Sequence, residues 1–193
     1  MQSIKKFLLV LFSVIITGVY AQIKDPVKFK LEVNKLGEGV KAIALPDERW
    51  DKVDIKTTNL IPNILAQTKA EKKFAYTAML FRDGICTEGA TSNVFAVKDG
   101  ILYTHPADNH ILKGITRQMI VTRVAPSLGI TLIEKEFDRA FVDDADELFF
   151  TDTIGGVIPI IKLDKNPVSG GKPGHVTLRL REALEKLMEE GLP

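Results

Sequence analysis

The chain has 193 residues, and its 26 lysines and arginines nearly balance its 25 aspartates and glutamates, so the net charge is +1. This length suits one domain, or one domain with an extension, and can bury a substantial core. The near-neutral charge gives no reason to expect nucleic acid or an anionic surface as a partner. Cys86 is the only cysteine, which excludes an internal disulfide.

The start of the chain has the pattern of a secretion leader. A basic segment precedes the apolar residues 7–19, and Ala21 ends a small-residue cleavage pattern. A membrane anchor is the alternative, but the apolar run is shorter than the roughly 20 residues that a spanning helix needs. We therefore predict a leader at 1–21, a short connecting segment at 22–38 and a folded domain at 39–193, with no stable membrane insertion once the leader is removed.

The domain begins with patterns of strand, turn and helix. "VKAIAL" and "KVDIK" (52–56) alternate as strands do, and "PDERW" between them is typical of a turn. "NLIPNILAQTKAEKKF" is predicted to be helical, because Leu60, Ile64 and Leu65 recur at helical spacing. Pro62 falls in the first turn, where its missing N–H group is harmless.

The remaining elements are mostly strands. "YTAMLF", "ICTEG", "SNVFAV" and "ILYTH" surround Asp-Gly turns and predict antiparallel hairpins. A helix ending at Gly129, the strands "TLIEKEF", "DELFF" and "GVIPIIKL", and a final amphipathic helix follow. We expect that final helix to be apolar on one face, at Leu180, Leu184, Leu187 and Met188. The predicted fold is α/β of the α+β kind, with a mixed, mainly antiparallel sheet or pseudo-barrel flanked by helices.

Common signatures of phosphate loops, paired cysteines and zinc proteases are absent from the sequence. The three histidines, His105, His110 and His175, are scattered along the chain. Because no clustered ligands are evident, we predict no metal site.

Three stretches rich in small and hydroxyl residues stand at the ends of predicted elements. "TEGATSN" carries Glu88, "LKGITR" carries Gly114 and Thr116, and "TDTIGG" carries Thr153. Glycine and threonine at the start of a helix can bind an anion, because free N–H groups and a hydroxyl point the same way. Each stretch alone is also typical of a turn or cap, and Lys56 alone is best interpreted as a solvated surface charge.

Taken together, these stretches and "VDIKTTNLIPNILAQ" around Lys56 resemble the class IV aminotransferases, the fold type IV group of pyridoxal-phosphate enzymes, and within it the D-amino-acid aminotransferase branch. The resemblance runs in the same order from residue 39 to the C-terminus. It implies that this chain has the C-terminal, cofactor-binding domain of that fold and that the N-terminal domain of the family is missing.

The resemblance also implies roles for single residues. Lys56 would hold the aldehyde of pyridoxal 5'-phosphate and then move a proton at the substrate Cα. Glu88 would face the pyridine nitrogen and keep it protonated, and Leu112 would pack on the ring.

Two further positions would bind the cofactor phosphate through the start of a helix, and a third through a loop. Ile115 and Thr116 would offer N–H groups, Thr116 also a hydroxyl, and Thr153 a second hydroxyl. Asp152 differs from the family pattern, because a carboxylate beside a phosphate is unfavourable unless it turns away.

The implied activity is transfer of an amino group between a D-amino acid and a 2-oxo acid, impaired by the loss of the N-terminal domain. Branched-chain aminotransferase and aminodeoxychorismate lyase share the implied residues and remain alternatives, as does a non-catalytic remnant that binds a ligand or partner. In the family the cofactor lies in a cleft between two domains, so the missing domain would leave this cleft open. The resemblance therefore further implies a homodimer, or another partner that covers the open cleft. The leader indicates export, whereas the resemblance indicates the cytoplasm.

Overall fold

The computed structural model describes residues 35–191, which form one mixed sheet with helices packed against it. The strands are β1 (Val40–Pro46), β2 (Thr77–Arg82), β3 (Ile85–Gly89), β4 (Asn93–Lys98), β5 (Ile101–Thr104), β6 (Leu132–Glu134), β7 (Glu147–Asp152), β8 (Gly156–Leu163) and β9 (Asn166–Pro167). The helices are α1 (Ile61–Glu71), α2 (Ile115–Met119), a π-helical turn (Ile120–Val124), α3 (Ala125–Ser127), α4 (Arg139–Asp143), a 3-10 turn (Ser169–Gly171) and α5 (His175–Glu189). The predicted leader lies outside the described residues.

The strand order is β3-β2-β1-β8-β7-β4-β5-β6, and β9 pairs with β8. β1 runs parallel to both β2 and β8, and β5 runs parallel to β6. The other pairings are antiparallel. The predicted fold class, a mixed and mainly antiparallel sheet flanked by helices, is therefore confirmed.

The two Asp-Gly turns connect hairpins as predicted. Asp83 and Gly84 have φ values of 50° and 83°, and Asp99 and Gly100 have φ values of 52° and 75°. Two successive residues with positive φ are what a tight type I′ turn requires, and this favours Asp-Gly pairs.

The sheet is buried on both faces. Neighbouring residues of a strand point to opposite sides, and each side packs in its own apolar cluster. On one face, Phe95 stacks on Phe149 with ring centroids 4.9 Å apart, beneath Leu180 and Leu184 of α5. On the other face, the buried Phe150 packs in a cluster that includes Val94, Ile158 and Val142. The helix predicted to end at Gly129 ends two residues earlier, at Ser127, and Gly129 follows it with a φ of 65°, a conformation common for glycine just after a helix.

The strand predicted at 52–56 is wrong, because this segment is a loop. The N–H of Val53 donates to the carbonyl of Asn109 at 2.9 Å. The N–H of Ile55 donates to the carbonyl of Lys52 at 3.1 Å, within the same turn. Apolar and polar residues alternate here, but no neighbouring strand of the described residues pairs with the segment. Most of its side chains are therefore exposed.

In α1 and α5, the residues that are buried differ from those predicted to form the apolar face. Leu60, Ile64 and Leu65 are about half exposed, whereas Ala66 and Ala70 are buried. Small alanines allow α1 to approach the sheet closely, so they form its packing face. In α5, Leu180 and Leu184 are buried as predicted, but Met188 is 50% exposed. The short helix α4 and strand β9 were not predicted.

No helix among residues 35–191 is long and apolar enough to cross a membrane.

Candidate active site

A cavity of about 240 Å³ opens beside the start of α2 and is lined by loops that follow β1, β5 and β7. All six residues that the sequence singled out line it: Lys56, Glu88, Leu112, Ile115, Thr116 and Thr153. They come from separate parts of the chain, and the fold brings them to one place.

Lys56 lies in the loop between β1 and α1. Its side chain is exposed and lines the cavity, and it forms no ion pair with another residue of the described range. The loop is fixed by the hydrogen bond from Val53 to Asn109 and by one from the N–H of Asn59 to the Thr57 hydroxyl at 3.2 Å. The amine is therefore available to a ligand in the cavity.

Glu88 is the second-last residue of β3 and lines the cavity, and only 5% of it is exposed. One carboxylate oxygen pairs with the guanidinium of Arg49. The other accepts hydrogen bonds from the Asn93 side chain and from the N–H of Leu112, both at 3.0 Å. Burial raises the pKa of Glu88 to about 7, although the charge of Arg49 and these hydrogen bonds act in the opposite direction.

Arg49 is the main site residue that sequence reasoning missed. It is buried and bonds to Asp47, Glu88 and the Thr87 hydroxyl. Burial raises the pKa of Asp47, but the hydrogen bonds and charge of Arg49 together outweigh that effect, so this pKa lies below its ordinary value. "PDERW" carried no signal for this role, because charged residues in a turn are usually solvated.

The start of α2 forms the polar end of the cavity. Gly114 caps the helix in an extended conformation, and the first N–H groups of a helix, here those of Ile115 and Thr116, have no intrahelical acceptor. A Cβ at Gly114 would collide with the side-chain oxygen of Asn93. The Thr116 hydroxyl donates to the carbonyl of Asp152 at 2.9 Å, which ties α2 to the end of β7.

Two further hydroxyls line the same cavity. Ser92 and Thr151 are buried, and their side-chain oxygens have no hydrogen-bond partner among residues 35–191. Buried hydroxyls normally have a partner. The cavity therefore offers polar atoms, free helix N–H groups and a carboxylate, a set that suits an anionic ligand with a polar ring.

The carboxylate of Asp152 folds back onto its own turn. One of its oxygens accepts hydrogen bonds from the N–H groups of Ile154 at 2.8 Å and Gly155 at 2.6 Å. The other lies 3.4 Å from the hydroxyl of Tyr76, and burial together with this carboxylate raises the pKa of Tyr76. These bonds stabilise the negative charge of Asp152 within the turn.

The description of the histidines as scattered is wrong for two of them. His105 and His110 come together with Asp108, and one ligand atom of each lies within 4.8 Å of the others. The short segment between β5 and α2 folds on itself, and this is not visible from residue spacing alone. His175 starts α5 and does not belong to the cluster.

This fold and cavity define a class IV aminotransferase domain. The family model for amino-transferase class IV matches residues 27–163, and the chain belongs to this family, which confirms the resemblance seen in the sequence. A D-alanine aminotransferase of Staphylococcus aureus is 42% identical over 154 residues, covering 80% of this chain and 54% of that protein.

Solved structures agree with this assignment. A branched-chain aminotransferase from Thermoproteus uzoniensis with norvaline matches with a TM-score of 0.75 and 30% identity, over 81% of this chain and 53% of that one. An aminotransferase from Brucella abortus bound to the cofactor PLP matches with a TM-score of 0.69 and 26% identity, over 78% and 55% of the two chains. The chain thus spans about half the length of the relatives it matches.

Proposed function

We propose that this chain is the cofactor-binding part of a pyridoxal-phosphate-dependent transaminase acting on a D-amino acid and a 2-oxo acid. The observation that carries the proposal is the meeting of Lys56, Glu88 and the start of α2 around one cavity. The D-alanine aminotransferase of S. aureus supports the D-amino-acid substrate class, and the PLP-bound B. abortus structure supports the cofactor.

The residues present fit this cofactor. Its phosphate requires several donors, and the N–H groups of Ile115 and Thr116 with the hydroxyl of Thr153 supply them. The Thr116 hydroxyl would add another by turning from the carbonyl of Asp152, to which it donates without the cofactor, toward the phosphate. Its pyridine nitrogen requires a carboxylate, which Glu88 supplies from a fixed position. Leu112 contributes an apolar side chain to the same wall of the cavity.

When bound, pyridoxal phosphate supplies an aldehyde that condenses with amines and a ring that accepts electron density. The Nζ of Lys56 would bind the cofactor and later hold or move the proton at the substrate Cα. The carboxylate of Glu88 would hold a proton at the pyridine nitrogen. Asn93 and Arg49 orient that carboxylate by their hydrogen bonds to its two oxygens.

The mouth of the cavity carries exposed apolar side chains. Leu60 is 46% exposed, Ile55 51% and Ile115 72%, and all three line the cavity. An apolar rim of this kind favours coverage by another protein surface, because contact would remove it from water. We propose a second copy of the chain or another partner at this mouth, which would also limit the access of water to the reaction.

The cofactor can be tested without measuring activity. Pyridoxal phosphate added to the purified chain should produce a visible absorption band, and borohydride reduction should attach the cofactor to the peptide that contains Lys56. Lys56→Ala should lose both signals. Lys52→Ala is the matched control, because Lys52 is exposed in the same loop but does not line the cavity. A parent protein without the band would refute cofactor binding.

The reaction requires a separate assay. D-alanine with 2-oxoglutarate should yield pyruvate above the rate of Lys56→Ala, and L-leucine in place of D-alanine tests the branched-chain alternative. Cofactor attachment without any amino transfer would instead indicate a non-catalytic binding module. Conversion of aminodeoxychorismate would indicate the lyase alternative.

A further inference from the structure

Two imidazoles and one carboxylate converge in the segment that follows β5. The Nε2 of His105 lies 3.1 Å from the Oδ2 of Asp108, and the Nδ1 of His110 lies 3.9 Å from the same oxygen. His105 is almost fully buried, and the other two residues are half-buried. None of the three lines the cavity that holds Lys56.

The hydrogen bonds of His105 define which of its nitrogens faces Asp108 as an acceptor. Its Nδ1 lies 3.0 Å from the carbonyl oxygen of Cys86, and a carbonyl can only accept, so Nδ1 carries the hydrogen. In a neutral ring, Nε2 is then an acceptor that faces a carboxylate. Two acceptors 3.1 Å apart require either a proton or a metal ion between them. A histidine that donates to a carbonyl through one nitrogen is the usual arrangement for metal binding through the other.

The carboxylate of Asp108 is arranged to meet both rings with one oxygen. Its Oδ1 accepts the N–H of His110 at 2.8 Å, which leaves Oδ2 directed at His105 and His110. Ligand atoms of a tetrahedral zinc site are about 3.3 Å apart, since each lies about 2 Å from the metal. The separations of 3.1 Å and 3.9 Å lie on either side of that value.

Both histidines line a second cavity, of about 520 Å³. Three carboxylates, those of Asp51, Asp83 and Glu136, also line it. The guanidinium of Arg82 also lines the cavity, so carboxylates outnumber guanidinium groups there. Such a cavity attracts cations and gives an ion a route from solvent.

We propose that His105, Asp108 and His110 bind one divalent transition-metal ion of the zinc type, with water as the fourth ligand. Two imidazoles and a carboxylate suit zinc and its neighbours rather than magnesium or calcium, which prefer oxygen ligands. The ion would fix the segment that leads to α2. It would also support Arg49, whose guanidinium donates to the carbonyl of His110 at 3.3 Å.

Calorimetry on the untagged full chain tests the site. The protein is treated with a chelator, dialysed and titrated with zinc chloride alone. One ion per chain should bind, and His110→Ala should weaken binding at least tenfold. His175→Ala is the matched control, because His175 is exposed and lies outside the cluster, and its zinc affinity should equal that of the parent.

Cobalt provides an independent readout. Cobalt chloride should give the intense visible bands of a tetrahedral nitrogen and oxygen site in the parent, and His110→Ala and Asp108→Asn should both lose them. Circular dichroism shows whether each variant is folded, and a folded Asp108→Asn protein suffices if His110→Ala fails to fold. Absence of stoichiometric zinc binding would overturn the proposal, and a proton would then lie between His105 and Asp108 in place of the metal. Unchanged zinc binding in His110→Ala would overturn it as well.

Discussion

The guanidinium of Arg49 pairs with the carboxylate of Glu88 at the wall of the cavity, and the two side chains are only 3% and 7% exposed. The same guanidinium pairs with Asp47, whose side chain is fully buried. The guanidinium of Arg49 thus pairs with two buried carboxylates. Burial raises the pKa of Glu88, whereas the pKa of Asp47 is lowered.

Arg49→Met should destabilise the protein strongly. The substitution keeps an apolar chain of similar length but leaves Glu88 without its cation, which costs about 3–5 kcal/mol in comparable cases. Asp47 would keep only Arg82, whose guanidinium lies 3.5 Å from it. Urea unfolding measures the free energy of unfolding. Arg123→Met is the control, since Arg123 is exposed, and a change within about 0.5 kcal/mol is expected there. Equal stability of the two variants would contradict the role of the pair.

The stability of the protein without added cofactor should depend on the titration of Glu88. Because burial raises its pKa to about 7 from 4.5, the folded chain binds this proton more tightly than the unfolded chain. The resulting stabilisation is complete below pH 4.5 and is lost as the pH rises through about 7. Relative to Glu88→Gln, the parent should therefore lose free energy of unfolding over this interval.

Urea unfolding at a series of pH values checks this expectation. Glu182→Gln is the matched control, because Glu182 is exposed on α5, and it should follow the parent at every pH. If the difference between the parent and Glu88→Gln stays constant with pH, the raised pKa is refuted.

The first of these expectations rests on Arg49, and the sequence did not predict its role. Local patterns predicted the hairpins, because Asp-Gly turns are set by backbone conformation within a few residues. The same reasoning failed for residues 52–56, since alternation cannot show whether a neighbouring strand exists. It also failed for α1, where the buried face is set by how closely Ala66 and Ala70 can approach the sheet.

The residues of the site divide in a similar way. Lys56, Glu88 and Thr116 were found because each lies in a stretch that resembles a known family. The role of Arg49 depends on contacts between distant segments of the chain. The meeting of His105 with His110 depends on how one short segment folds, and composition marks neither. An arginine such as Arg49 can be buried only when carboxylates pair with it. Glu88 becomes its neighbour only in the folded chain.

Thr116→Val should weaken binding of pyridoxal phosphate but not of pyridoxal, which lacks the phosphate. A hydrogen bond to a charged group contributes about 1.5–3 kcal/mol, so a loss of tenfold or more in affinity is expected. Absorption titration with both compounds measures it. Thr122→Val, on the π-helical turn that continues α2, is the control and should bind both as the parent does. If Thr116→Val lowers the affinity for pyridoxal as much as the affinity for pyridoxal phosphate, the phosphate does not bind at Thr116.

Thr151→Val and Thr104→Val should differ in stability although the substitution is the same. Both residues are buried on strands, but only the Thr104 hydroxyl has a partner, the carbonyl of Val94 at 2.8 Å. Thr104→Val should cost about 1 kcal/mol, because it removes a buried hydrogen bond. Thr151→Val should leave the free energy of unfolding unchanged or raise it. Thermal and urea unfolding of the two variants make the comparison, and a larger loss at Thr151 would show that its hydroxyl has a partner in the folded protein.

The pairing of β1 with β8 has a consequence for how the protein is made. β1 begins at Val40, yet its partner in the sheet is Ile160, so the ribosome must synthesise most of the chain before this pair can form. Lys56 emerges early, whereas Thr153 emerges only shortly before β8. β1 can pair early with β2 on one edge, but its other edge stays unpaired for most of the synthesis, and contacts between such distant segments form slowly. We expect the nascent chain to depend on chaperones during this interval, since exposed strand edges promote aggregation.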